Sequence, residues 1–184
     1  MKPYEKYLQE ILIDETTLRQ RVKELGEQIS TDYADCQELL LICILKGGVM
    51  FLVDLTRCIS VPHEIDFLAV SSYGRGVRSS TGSVRIDMDL SCQVEGRHVL
   101  IVEDIIDSGQ TLRFVMDMLE TRKPASLKLV TLLNKPQRRT VDIPIAYTGF
   151  DIEDKFVFGY GLDLDEKFRN LPFIAVVKPE VVYE

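Results

Sequence analysis

The most chemically distinctive stretch of the chain is HVLIVEDIIDSGQTL, residues 98–112, where three carboxylates fall within five positions. Glu103 and Asp104 directly follow an apolar run, and Asp107 opens a small polar loop. Carboxylates this close disfavour one another's charged form. A solvated turn would explain the polar loop but not the clustered acids. The cluster therefore predicts a ligand.

The loop after the acids suits a phosphate. Ser108, Gly109, Gln110 and Thr111 lead into a helix that the pattern predicts at about 111–121. Free N–H groups and the helix dipole make such an N-terminus an anion site. Gly109 lets the backbone approach a ligand closely. The acids beside the loop then need a mediator, for which two alternatives remain open: Mg²⁺ held by carboxylates and substrate oxygens, or ribose hydroxyls that donate to Glu103 and Asp104.

Composition limits the other functions. The 184-residue chain has the length of a single domain with a sizeable core. Its net charge of −7 disfavours non-specific binding to nucleic acid or anionic membranes. No apolar run is long enough for a membrane helix, and the first residues, MKPYEKYLQE, lack the apolar core of a signal peptide. We therefore expect a cytoplasmic protein.

The four cysteines, at positions 36, 43, 58 and 92, form no Cys-x-x-Cys pair and have no ligand spacing with the two histidines. We interpret them as reduced structural thiols, which fits a reducing compartment. The chain also lacks a Walker P-loop, since its glycine-rich stretch GRGVRSSTG has no P-loop lysine.

Alternating strands and helices predict an α/β fold with a mainly parallel sheet and right-handed crossovers. Ligands of such sheets bind beyond the carboxyl ends of the strands, where the acidic cluster is expected. Apolar patterning predicts helices within 14–33, with Asp14 as N-cap, and at 49–59 and 111–121, and strands at 38–45, 63–70, 84–90, 98–102 and 126–133. The tail reads as a small appendage at one end of the sheet.

The stretch VLIVEDIIDSGQTL resembles the phosphoribosyl-pyrophosphate (PRPP) signature of type I phosphoribosyltransferases. Further stretches resemble the hypoxanthine-guanine branch of that family, and they appear in the family's order. They are LKGG at 45–48, SSYG at 71–74, NK at 134–135, DKFVFGYGLD at 154–163 and FR at 168–169. The resemblance implies one phosphoribosyltransferase domain over 1–184, with a core at about 35–145 and a hood from the N-terminal segment and about 146–184.

The resemblance implies purine salvage. The expected reaction is Mg²⁺-dependent transfer of the 5-phosphoribosyl group from PRPP to N9 of hypoxanthine or guanine, which gives IMP or GMP and pyrophosphate. A homodimer or homotetramer is expected, with neither nucleic acid nor membrane as a partner. The main alternative is a PRPP- or nucleotide-binding regulator of the same fold without turnover. A response-regulator receiver domain, suggested by VLIVED alone, would need more chain than follows residue 98.

The resemblance also implies roles for the acids and the loop. Asp107 matches the proposed general base at the purine N7, and the loop from Asp107 through Ser108, Gly109 and Gln110 to Thr111 would hold the 5′-phosphate. Glu103 and Asp104 would bind ribose hydroxyls and, directly or through water, Mg²⁺. Asp163 would be a ligand of a second Mg²⁺, although an aspartate in a plain turn explains it equally simply.

The remaining implied contacts concern pyrophosphate, the purine and a lid. Lys46, Gly47 and Arg169 would bind pyrophosphate, and the Leu45–Lys46 peptide is expected to be cis. Lys135 would donate to the purine O6, Phe156 would stack on the ring, and Val157 would read the base edge through its backbone. Such a donor predicts rejection of adenine. Ser72 and Tyr73 would begin a lid loop, since 71–83 is polar, glycine-rich and long. Plain core packing, a strand-to-helix turn and a surface loop are the structural alternatives.

Overall fold

A computed structural model of the protein describes residues 2–72 and 84–182. The strands are β1 (Leu8–Ile13), β2 (Leu39–Leu45), β3 (His63–Ser72), β4 (Val84–Met88), β5 (His98–Ile106), β6 (Ser126–Asn134), β7 (Tyr147–Asp151), β8 (Val157–Phe158) and β9 (Ile174–Val177). The helices are α1 (Glu15–Asp32), α2 (Val49–Cys58), α3 (Gln110–Glu120) and α4 (Pro179–Val182), with a 3-10 turn at Pro136–Arg138. The predicted α/β class is confirmed.

The main sheet has six strands in the order β4-β3-β2-β5-β6-β7. All neighbouring strands are parallel except β4, which runs antiparallel to β3. Strand β2 at the centre is apolar throughout and almost wholly buried, as a strand covered on both faces must be. This arrangement confirms the predicted mainly parallel sheet.

Helices cover both faces of that sheet. Helix α1 begins at Asp14, whose carboxylate accepts from the Thr17 backbone N–H at 2.8 Å, as expected of an N-cap. Leu39 and Leu41 of β2 pack into the cluster that contains the buried side chains of α1 and α2. Leu40 and Ile42 pack with the buried side chains of α3. Alternate strand residues thus feed two cores, one on each side of the sheet.

Two strand predictions need correction. Strand β5 does not stop at residue 102, because β6 is long enough to pair with it through Ile106. Glu103 and Asp104 therefore lie within the end of the strand rather than after it. In addition, Tyr147–Asp151 joins the main sheet as β7, parallel to β6, whereas the sequence predicted only a peripheral appendage there.

A second, three-stranded antiparallel sheet has the order β1-β9-β8. Strand β1 was not predicted, because apolar and polar residues alternate too little in its sequence, LQEILI, to indicate a strand. The second sheet has its own small core around Phe158, Leu171, Ala175 and Val177. The proposed division into a core at about 35–145 and a hood stays a prediction.

Three further expectations can be placed on the structure. All four cysteines are free. Across residues 2–72 and 84–182, no helix is both long and apolar enough to cross a membrane. Of the predicted lid residues, Ser72 is the last residue of β3, and Tyr73 lies outside the described residues.

Candidate active site

The predicted site residues meet at the carboxyl edge of the main sheet. Lys46 and Gly47 follow β2, Asp107 follows β5, and Lys135 follows β6. These three strands are adjacent and parallel, so their loops emerge side by side. This edge is where open α/β sheets bind ligands.

A small cavity of about 260 Å³ lies over the N-terminus of α3. Its wall includes Glu103, Asp107 and the loop residues Ser108, Gly109 and Thr111. Gly109 has φ +86°, and a Cβ there would come within 2.7 Å of the Ile143 side chain. The positive φ of the turn therefore favours glycine at this position. The cavity combines free helix-end N–H groups with two hydroxyl-bearing side chains, which suits a phosphate.

The two neighbouring acids at the end of β5 accept few hydrogen bonds from the described residues. Burial, with Asp104 next to it, raises the pKa of Glu103 well above its usual value. The buried Oε2 of Glu103 has no hydrogen-bond partner among the described residues. Burial also raises the pKa of Asp104 to about 6. Buried acids with so few hydrogen-bond donors are expected to bind something that the protein alone does not supply.

Asp104 lies against the loop after β2. Its Oδ1 accepts from the Ile105 backbone N–H at 2.8 Å, while its Oδ2 would overlap any Cβ added at Gly47. A Cβ at Gly161 would in turn overlap the Gly47 carbonyl oxygen. The Leu45–Lys46 peptide is cis, which confirms the prediction. Glycines are thus needed where two loops and a carboxylate crowd together.

The three predicted metal ligands do not form one cluster. Within the described ranges, no group of three or more His, Cys, Asp or Glu side chains is arranged to hold a metal. Glu103 lines the small cavity, Asp104 faces Gly47, and Asp163 pairs with Arg169 at 2.9 Å. Asp163 and Arg169 still lie near enough to Asp104 to act on its pKa in opposite directions.

A larger cavity of about 570 Å³ contains the predicted purine contacts. Asp107, Lys135 and Phe156 all line it. Lys135 is 7% exposed, and its Nζ lies 3.5 Å from Asp154 Oδ1. Phe156 is 52% exposed, so its ring offers an unpacked apolar face. Val157 is buried in β8 beside it. An aromatic face with a buried ammonium suits a flat heterocycle with a hydrogen-bond acceptor.

Sequence reasoning missed two residues of the larger cavity. Arg138 donates from Nε to Asp107 Oδ1 at 2.9 Å and from Nη1 to Asp154 Oδ2 at 3.4 Å. It lies on the 3-10 turn after Lys135, so Pro136 was the available signal. Asp154 is the first residue of DKFVFGYGLD and was not given a role.

Glu166 was also missed, at the predicted pyrophosphate contacts. Its Oε2 lies 2.9 Å from Lys46 Nζ and 3.3 Å from Arg169 Nη2. Arg169 is held further by its Nη1, which donates to the Gly161 carbonyl at 2.8 Å. Lys46 and Arg169, two of the three predicted pyrophosphate contacts, are therefore joined by one carboxylate.

Asp107 is the one predicted residue that lines both cavities. Its carboxylate marks the place where a molecule seated on the α3 loop would meet one stacked on Phe156. The arrangement can bring together an anionic ligand and a heterocycle, with a carboxylate at the junction.

Comparisons with known proteins agree with this geometry. Residues 9–167 match the family model described as phosphoribosyl transferase domain. The chain is 47% identical over 173 residues to the hypoxanthine phosphoribosyltransferase of Salmonella typhimurium, covering 94% of this chain and 97% of that protein. It is also 47% identical over 177 residues to the bifunctional protein TilS/HprT of Listeria monocytogenes, where it covers 96% of this chain but spans only 27% of that protein.

Solved structures give the same result. The crystal structure of a hypoxanthine phosphoribosyltransferase from Staphylococcus aureus superposes with a TM-score of 0.93 at 45% sequence identity. That match covers 100% of this chain and 98% of the other. The similarity therefore extends over both sheets and both cavities.

Proposed function

Because the chain belongs to the phosphoribosyltransferase family, we propose that it transfers the 5-phosphoribosyl group from PRPP to N9 of hypoxanthine or guanine. The observation that carries this proposal is the position of Asp107 at the junction of a phosphate-type cavity and a heterocycle-type cavity. The products are IMP or GMP and pyrophosphate, which makes the reaction a purine-salvage step.

The proposed reaction breaks the C1′–O bond to pyrophosphate and forms the C1′–N9 bond to the purine. Ser108, Gly109, Gln110 and Thr111 hold the 5′-phosphate at the α3 N-terminus, which fixes the ribose below the base. Asp107 accepts the hydrogen bond from the purine N7–H and takes up its proton. Its negative charge also stabilises the positive charge that develops on the ribose. In the free protein the Nε of Arg138 donates to Asp107 Oδ1 at 2.9 Å. This side chain must therefore move away from Asp107 when the purine binds.

Mg²⁺ fits the acidic pair. Glu103 has a buried oxygen without a partner in the described ranges, and carboxylate oxygens are the ligands that Mg²⁺ prefers. Mg²⁺ commonly takes one or two carboxylates and completes its shell with water and substrate oxygens. When bound, the ion would neutralise the leaving pyrophosphate. Glu103 and Asp104 are proposed as its ligands or as acceptors for the ribose hydroxyls, and Asp163 as the ligand of a second ion.

The purine side of the site predicts selectivity. Lys135 is buried, and its Nζ lies 3.5 Å from Asp154 Oδ1. Its ammonium can donate to a keto oxygen at C6, whereas the amino group of adenine would be a second donor facing it. Phe156 stacks on the base, and the Val157 backbone reads its edge. Sites built on such hydrogen bonds can reject the wrong analogue by roughly 10⁴-fold.

We further propose a cytoplasmic homodimer or homotetramer, with no nucleic acid or membrane partner. The four free cysteines are consistent with a reducing compartment. Two apolar side chains on the outer face of α2, Met50 and Val53, are exposed and are candidates for a subunit contact. Sedimentation equilibrium would give the oligomer number.

The first test is pyrophosphate release by the purified protein with PRPP and Mg²⁺, against hypoxanthine, guanine, xanthine, adenine and uracil in parallel. Turnover with 6-oxopurines and roughly 10⁴-fold less with adenine is expected. Comparable adenine and hypoxanthine efficiencies would refute the role of Lys135. Binding of PRPP without turnover of any base would replace the enzyme by a regulator.

A matched pair of variants isolates the purine contact. Lys135→Met should raise the KM for hypoxanthine and remove the discrimination against adenine. Lys155→Met is the control, because Lys155 lines the same cavity but pairs with Glu10 at 3.0 Å. Equal effects of the two substitutions would mean that the cavity selects by general charge.

A further inference from the structure

Glu166 bridges two cations, Lys46 and Arg169, that the family resemblance assigns to pyrophosphate. A single oxygen, Oε2, lies 2.9 Å from Lys46 Nζ and 3.3 Å from Arg169 Nη2. Lys46 follows β2 and Arg169 lies between β8 and β9, so this carboxylate links loops from the two sheets. Hydrogen bonds from Lys46 and then Arg169 keep the pKa of Glu166 below its usual value, and it is therefore anionic at neutral pH.

The backbone conformation at Glu166 is one that a glutamate rarely adopts, which suggests a role for its side chain. Leu164 and Lys167 form an antiparallel bridge with two reciprocal backbone hydrogen bonds of 3.1 Å. The two residues between them, Asp165 and Glu166, have φ of +53° and +60°. Two-residue turns with positive φ at both central positions favour Asn-Gly and related pairs. A glutamate at the second position is conformationally unfavourable, so the turn itself does not explain it.

The contact is built to be reversible. The Glu166 side chain is 64% exposed, and exposed ion pairs contribute little to stability. Arg169 has other anchors that do not depend on Glu166, namely the Gly161 carbonyl at 2.8 Å and Asp163 at 2.9 Å. A polyanion arriving at Lys46 and Arg169 would be repelled by the Glu166 carboxylate and could displace it at small cost.

We propose that Glu166 is an internal competitor of the pyrophosphate group: its carboxylate occupies Lys46 and Arg169 in the free protein, leaves when the pyrophosphate of the substrate binds, and returns as the product departs. The inference rests on the proposed function, because pyrophosphate is a product of that reaction and the family resemblance assigns both cations to it. It makes Glu166 a residue that tunes affinity for the leaving group.

The test compares Glu166→Gln with Asp165→Asn. Both remove one negative charge from the same turn, but Asp165 pairs with Lys167 at 2.9 Å and touches neither proposed pyrophosphate contact. Titration calorimetry with inorganic pyrophosphate and Mg²⁺ at low ionic strength should show about 3- to 10-fold tighter binding to Glu166→Gln. Asp165→Asn should bind like the wild type. The difference should shrink in 0.5 M salt, which screens exposed charges.

The outcomes separate this inference from the proposed reaction. Equal affinities of the two variants, or weaker binding by Glu166→Gln, would overturn the competitor role even if the wild type turns over 6-oxopurines. Tighter pyrophosphate binding by Glu166→Gln, but not by Asp165→Asn, supports the competitor role. A parallel fall in the KM for PRPP would show that the competition also acts during turnover. If the wild type turned over no base, the reaction would fail while the calorimetric result still decided the role of Glu166.

Discussion

Asp66 and Asp104 are buried to the same extent, at 8% exposure each, yet their carboxyl groups have opposite pKa shifts. Asp66 lies in the middle of β3, and Asp104 lies near the carboxyl end of β5. The two strands flank β2 in the same sheet. Solvent exposure therefore does not distinguish them: the carboxyl group of Asp104 is the more strongly desolvated, and it also accepts fewer hydrogen bonds than that of Asp66.

Asp66 is fully provided with donors. Burial by itself would raise its pKa, but hydrogen bonds lower the pKa below the usual value. The backbone N–H groups of Phe67, Ser91 and Cys92 donate to it at 2.8, 2.8 and 3.0 Å. The carboxylate thereby ties the segment after β4 to β3. This is a structural acid that needs no ligand.

Asp104 has one donor in the described structure, the Ile105 backbone N–H, and an equally poorly partnered Glu103 next to it. Burial raises its pKa to about 6 because so little offsets it. The comparison teaches that burial alone does not mark a functional carboxylate. A buried carboxylate that has few hydrogen-bond donors and lies at the ligand-binding edge of the sheet is the better indication of a functional role.

The largest difference between Asp104→Asn and Asp66→Asn should be in catalytic activity. Asp104→Asn should lower kcat/KM for PRPP by about 10²-fold or more, because it removes a charge positioned for the ribose hydroxyls or the metal. Asp66→Asn should change kcat/KM only a few-fold. Steady-state kinetics with PRPP varied would measure both. Similar losses in the two variants would mean that Asp104 acts through folding alone.

The pH dependence of stability should separate them next. The pKa of Asp104 is about 6 in the folded protein against the usual value of 3.8 for an aspartate, so between these values the folded state binds more protons. Its contribution to stability is full below pH 4 and is lost as the pH rises towards 6. At pH 7.5 Asp104→Asn should therefore be more stable than the wild type by on the order of 3 kcal/mol.

Urea unfolding in EDTA at pH 4.5 and 7.5 would measure this gain. The substitution should also relieve Glu103, whose pKa Asp104 helps to raise. Asp107→Asn is the control at the same edge, because Asp107 pairs with Arg138 at 2.9 Å and loses a favourable contact instead. No gain in stability for Asp104→Asn at pH 7.5 would show that its carboxylate finds compensation in solution.

Substitution of Asp66 should change the stability at neutral pH in the opposite direction from substitution of Asp104. Its lowered pKa means that its contribution is present at neutral pH and is lost as the pH falls through the folded-state pKa. Asp66→Asn should cost about 2 kcal/mol at pH 7, since an amide turns one donor towards backbone N–H groups that need acceptors. Urea unfolding at pH 7 would measure the loss, which should narrow in acid. A pH-independent loss would point to packing rather than charge.

The same comparison shows where sequence reasoning succeeds. Helix α1, strand β2 and the α3 loop have strong local patterns: a helical repeat from Leu18 to Ile29, a continuous apolar run, and Gly109 before a helix. Local pattern also placed Asp107 directly after a predicted strand, whereas Lys135 was identified only through the family resemblance. In such cases the information lies within a few positions of the residue.

Sequence reasoning fails where a residue's contact partner lies far away in the chain. Nothing near HEIDFLAV says that Asp66 will meet Ser91 and Cys92, so its structural role could not be separated from that of Asp104. Strand β7 depends on the length of β6, and Glu166 meets Lys46 across 120 positions. Contacts of this kind are set by the tertiary fold, and the sequence alone predicts the residues but not their partners.

The smallest predicted effect tests how Asp66 is satisfied. The Ser91 hydroxyl lies 3.2 Å from both carboxylate oxygens of Asp66, longer than the bonds from the backbone N–H groups. Ser91→Ala removes this bifurcated hydrogen bond and leaves the backbone donors in place. The free energy of unfolding in urea should therefore fall by no more than about 1 kcal/mol. Activity should be unchanged. A cost equal to that of Asp66→Asn would mean that the hydroxyl, not the backbone, holds the carboxylate, and would make this buried acid dependent on a single side chain.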